Sequence, residues 1–77
     1  MNKERRNTIG SIIADLERSK DEITEAGEAE QEYADNMPEN MQFTSAVHEK
    51  AEEVAQELDE IQGELQDIID RLIEVTQ

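Results

Sequence analysis

Asn36-Met37-Pro38-Glu39-Asn40 divides this chain of 77 residues into two halves. Proline lacks an amide proton and disfavours helical geometry in the residue before it, so a helix arriving from the N-terminal side must end near Asp35. Beyond the break, Val47, Ala51, Val54, Leu58, Ile61, Leu65, Ile68, Leu72 and Val75 recur at steps of four and three, the spacing of one face of a long helix. Before it, Ile9, Ile12, Leu16, Ser19, Ile23, Ala26, Glu30, Tyr33 and Met37 follow the same rule. Folding the chain back at Pro38 sets Ile9 against Val75 and Met37 against Val47, with the intermediate members of the two series facing in turn. The spacing thus predicts an all-α fold, an antiparallel helical hairpin. A single domain spans residues 1–77, with a helix over about 3–35, a loop over about 36–44 and a helix over about 45–76.

The ends of these helices are marked less sharply than their faces. The first starts near Lys3, or later with Asn7 or Thr8 as its cap, and Thr44 or Ser45 is placed to cap the second. Glu49, Glu52 and Glu53 sit favourably in the first turns of the second helix, at the positive end of its dipole. Gly10, Gly27 and Gly63 fall inside the helices. Each costs about 1 kcal/mol relative to alanine, so packing rather than propensity must hold these segments helical. A helix of this length is about 45 Å long, which makes the hairpin a rod.

The apolar stripe is wider than two helices need at one end of the rod. Ile9, Ile12, Ile13 and Leu16 face Ile68, Ile69, Leu72, Ile73 and Val75 near the chain termini, whereas Ala26, Ala29, Ala51, Val54 and Ala55 occupy the loop end. A chain this short also has little core from which to draw stability. The eight isoleucines and leucines of the wide end are therefore expected to form an oligomer interface, most simply that of a homodimer completing a four-helix bundle. A different protein covering the same surface is the competing expectation.

Charge excludes several classes of partner. Seven Lys plus Arg stand against 21 Asp plus Glu, for a formal charge of −14, and between Asp21 and Asp70 the only Lys or Arg is Lys50. Such a surface repels phosphate, so neither nucleic acid nor an anionic membrane is expected as a direct partner. No stretch approaches the ~18 apolar residues of a membrane span, and no apolar run follows Met1-Asn2-Lys3-Glu4-Arg5-Arg6, so a cytoplasmic protein is expected. Cysteine is absent, which removes disulfides and thiolate metal sites. Two readings of the acids stand: a solvated face that maintains solubility, or carboxylates that stand in for phosphates in the basic groove of another protein.

Catalytic signatures are missing. His48 and Glu52 share a helix face, but a carboxylate-bridged metal centre in a bundle expects Glu-x-x-His pairs, and Ser45 stands three residues before His48. Glu30 and Ser19 are the polar members of the first apolar series, and Glu30 near the alanine-rich end can reach water. No glycine-rich phosphate loop and no nucleophile with a base is present, so no enzyme, cofactor or metal is expected. Lys3, Arg5 and Arg6 should lie beside the C-terminus of the second helix, near Asp67, Asp70 and Glu74; Arg5 and Arg6 are alternatively a weak anion site. Tyr33, Met37, Met41 and Phe43 gather both aromatics and two of three methionines at the loop, either as a partner anchor or as a plug for the thin end of the core.

The loop and its approach, Glu30-Gln31-Glu32-Tyr33-Ala34-Asp35-Asn36-Met37-Pro38-Glu39-Asn40-Met41-Gln42, resemble a group of short acidic helical-hairpin proteins encoded by bacteriophages and prophages. The resemblance implies a phage context in a bacterial host cell. It further implies a non-enzymatic role in which a small acidic protein blocks host or defence machinery, by mimicking DNA, covering a protein surface or sequestering a signal molecule. On that expectation Glu22, Glu25, Glu28, Glu53, Glu57, Glu60 and Glu64 would meet a basic protein target, with Tyr33, Met37 and Phe43 adding specificity. The alternatives are an oligomeric sponge that holds a small nucleotide signal at Arg5 and Arg6, and a purely structural coiled-coil assembly element.

Overall fold

The structure is a computed structural model that describes residues 1–42 and 46–77, without the side chains of residues 41 and 42. It is an antiparallel helical hairpin: α1 over Lys3–Asp35, a single turn α2 over Glu39–Gln42, and α3 over Ala46–Val75. The long helices run side by side in a rod of 60 × 14 × 13 Å. Its radius of gyration of 17.5 Å compares with about 11–12 Å for a compact chain of this length.

Local chemistry accounts for the ends. Asn2 caps α1, its Oδ1 accepting from the Arg5 amide at 2.8 Å, so the helix takes its early start and Thr8 lies inside it, bonded to the Glu4 carbonyl at 3.1 Å. At the other end the Asn36 amide donates to the Glu32 carbonyl at 2.9 Å and the Met37 amide to that of Ala34 at 3.3 Å. Pro38, with no amide to give, breaks the ladder there. The stretch expected to be a loop holds the turn α2, since Glu39 to Gln42 contains no residue that opposes a helical turn and Pro38 suits the position before it. The expected Thr44 or Ser45 cap and Phe43 lie outside the described residues.

The hairpin seam is rotated from the expected one. On α1, Ile9, Ile13, Leu16, Lys20, Ile23, Gly27, Glu30 and Ala34 are buried or half-buried, as is Met37 just beyond its end; on α3 the same holds for His48, Ala51, Ala55, Leu58, Gln62, Leu65, Ile69 and Leu72, and for Thr76 just beyond it. Val47, Ile61, Ile68 and Val75, expected to face α1, are instead 53%, 37%, 46% and 55% exposed, and Ile12 and Tyr33 of α1 are 41% and 53% exposed. Close approach explains the rotation. A Cβ on Gly27 would stand 3.4 Å from the Leu58 Cβ and 3.8 Å from the Ala55 carbonyl oxygen. Ala34, Ala51 and Ala55 are buried around this contact. Small side chains let the backbones approach, and the helices pack through that column rather than through the β-branched one.

Candidate interaction surfaces

Three columns of side chains now define the molecule. The middle column, Ile9, Leu16, Ile23 and Glu30 on α1, Met37 just after it, and Ala51, Leu58, Leu65 and Leu72 on α3, borders the seam. To one side lie the small and polar seam residues. Beyond them a polar groove is lined by Thr24, Gly27, Gln31, Glu52, Gln56 and Asp59, and Lys20 Nζ donates to Gln66 Oε1 across the hairpin on this side. To the other side lie Ile12, Ser19, Ala26 and Tyr33 on α1 and Val47, Val54, Ile61, Ile68 and Val75 on α3, each series at a constant step of seven. Mirror-related rotation in antiparallel helices turns both series toward the same face, and Tyr33, Val47 and Val54 indeed line one shallow hollow there with Glu30, Ala46, Lys50 and Ala51.

The residues expected at an oligomer interface are divided by this geometry. Ile12 and Ile68 stand exposed on the apolar face, with Ile9, Leu16 and Leu72 half-buried beside them. Ile69 is wholly buried between α1 and α3, and Ile13 is half-buried in the same seam. Ile73 shares the column of Glu52, Asp59 and Gln66 on the polar side. The expectation overlooked Val47, Val54, Ile61 and Val75 because their spacing fits a hairpin seam as well as an outer face. The signal that separates the two is the run of small residues at Gly27, Ala34, Ala51 and Ala55.

The acids expected to bind a partner do not form one surface. Glu22 and Glu25 lie on the outer edge of α1 beside the exposed Asp15–Arg18 ion pair of 3.1 Å, and Glu28 borders the polar groove. Glu53, Glu57, Glu60 and Glu64, at steps of four, three and four, form a ridge on the outer edge of α3, all exposed. Two helices side by side span about 20 Å, so a single groove on a partner meets one edge at a time. The α3 ridge has no cation between its first and last member and is the more concentrated of the two. Tyr33 is exposed and Met37 half-buried at the loop end.

His48, 12% exposed in its side chain, places Nε2 3.0 Å from Glu52 Oε1, which gives this histidine a partner within its own helix. No group of three or more His, Asp or Glu side chains converges as a metal site would require among the described residues. Arg5 and Arg6 are exposed at the open end, and Arg6 donates to the Met1 carbonyl at 3.1 Å. Neither forms an ion pair with Asp67, Asp70 or Glu74 among the described residues; Asp70 accepts from Gln66 Nε2 at 2.9 Å. No helix among the described residues is long and apolar enough to cross a membrane.

Among the described residues, fold and surface together define a helical-hairpin protein with an apolar face, a polar groove and acidic outer edges on both helices. Comparison with protein-family profiles, curated proteins and solved structures finds no match.

Proposed function

We propose that this protein is a non-enzymatic, protein-binding module of phage or prophage type, which inhibits bacterial host or defence machinery by setting an acidic edge into a basic groove on its target. The observation that carries this reading is the α3 ridge of Glu53, Glu57, Glu60 and Glu64. Successive members are about 4.5–6 Å apart along the helix axis, wider than the 3.4 Å rise per phosphate along one DNA strand. A rigid row of this kind sets about two carboxylates against every three phosphate positions of a groove built for a nucleic-acid backbone, without a strand having to be ordered first.

The test is affinity capture from a bacterial lysate at low and high salt, comparing the natural chain with Glu53→Gln/Glu57→Gln/Glu60→Gln/Glu64→Gln. Recovery of a basic protein that is lost both on neutralisation and at high salt supports the reading. Capture that ignores the four substitutions removes the ridge from the mechanism.

A further inference from the structure

The apolar face carries an inference that the acidic edges do not. Among the described residues the fully buried core consists of Ala34, Ala51, Ala55 and Ile69, three of them alanines. Meanwhile Ile12, Val47, Ile61, Ile68 and Val75 are 37–55% exposed on one face. The chain exposes 5799 Å², whereas a compact protein of 8.8 kDa exposes about 4800 Å². The excess of about 1000 Å² belongs to the elongated rod as a whole, and a standard interface takes about 800 Å² from each partner, so the rod has surface to give to one.

We propose that a second copy of this chain covers the face, making a four-helix bundle in which both acidic α3 ridges stay at the surface. Three features select a second copy over a foreign protein. The outer columns repeat every seven residues on both helices, which is the period at which one α-helix packs lengthwise on another. The face is continuous along the rod, from Ile12 and Ile68 near the termini to Tyr33 and Val47 near the loop, so two identical hairpins bury it over its whole length. Finally, the middle and outer columns from Ile9 to Val75 contain a single charged residue, Glu30, with Lys50 bordering the same hollow, on a chain of net charge −14. Two such chains can approach closely only through the surface where charge is missing.

Sedimentation equilibrium and light scattering on the full chain test this across the micromolar to submillimolar range. The expected mass is twice 8.8 kDa, with a melting temperature that rises with protein concentration. Added salt strengthens the dimer by screening the repulsion between protomers, the reverse of its effect on docking of the acidic ridge. Ile61→Lys/Ile68→Lys weakens self-association at least about 100-fold although each protomer becomes less negative, so charge repulsion does not explain the loss. Ile73→Lys, on the polar side, leaves the mass unchanged. A natural chain that stays at monomer mass with a concentration-independent melting temperature overturns the proposal, as does a double variant that dimerises normally. Should the double variant lose its helix signal, the concentration dependence of the natural chain decides alone. Neutralising the α3 ridge leaves the dimer intact, so failure of partner docking and failure of self-association are separately visible.

Discussion

Ile68 and Ile69 are neighbours in sequence with opposite surroundings: Ile69 is wholly buried between the helices, while Ile68 is 46% exposed on the apolar face. One residue turns a helix by about 100°, so the pair samples the seam and the outer face at the same height along the rod. Ile69→Ala is expected to lower the unfolding free energy by about 2–4 kcal/mol at every protein concentration, because it removes the largest fully buried side chain. Ile68→Ala should change the stability of the isolated hairpin by no more than about 0.5 kcal/mol. Urea unfolding monitored by circular dichroism at two protein concentrations separates the variants. An equal, concentration-independent loss for both would mean that Ile68 lies in the seam.

The glycines make a second contrast. A Cβ on Gly10 or Gly63 meets nothing within 4 Å, so Gly10→Ala and Gly63→Ala should each stabilise the fold by about 0.5–1 kcal/mol by narrowing the unfolded ensemble. Gly27 faces Leu58 at ordinary contact distance, which leaves room for one methyl and no more. Gly27→Val should therefore wedge the helices apart and cost about 1–3 kcal/mol. Thermal melts of the three variants check the order.

Asn2 caps the N-terminus of α1 through the 2.8 Å bond that its side chain accepts from the Arg5 amide. Asn2→Ala should cost about 1 kcal/mol and fray the first turn. Amide hydrogen exchange reads this locally. Protection should fall at Arg5 and Arg6 and remain unchanged near Ile23.

Neutralising the α3 ridge should act with opposite signs on stability and binding. Glu53 and Glu57, Glu57 and Glu60, and Glu60 and Glu64 are like-charged neighbours three or four residues apart, and each pair destabilises the helix by about 0.2–0.5 kcal/mol. The four Glu→Gln changes should raise the melting temperature at low salt and flatten its salt dependence. Loss of partner capture in a variant that melts higher is then not attributable to unfolding. A lower melting temperature would show that these carboxylates support the helix.

The acidic edges were legible residue by residue, because a helix displays every third and fourth position along one ridge. That Glu22 and Glu25 stand on the opposite edge from Glu57 and Glu60 was not, since it depends on which side of each helix meets the other. The expected oligomer residues suffered the same ambiguity. Ile12 and Ile68 lie on the exposed face, whereas Ile13 and Ile69, one position away, are drawn into the hairpin.

The sequence by itself determined two long helices, their antiparallel return at Pro38 and the end of α1 at Asp35, because proline geometry and the three-and-four spacing are local properties of the chain. Only the tertiary structure decided the rotation of each helix about its axis. The apolar stripe is three columns wide, and a single partner helix covers only part of it, so periodicity leaves several faces open. The close approach at Gly27, Ala34, Ala51 and Ala55 selects one of them and leaves the isoleucine and valine column outside.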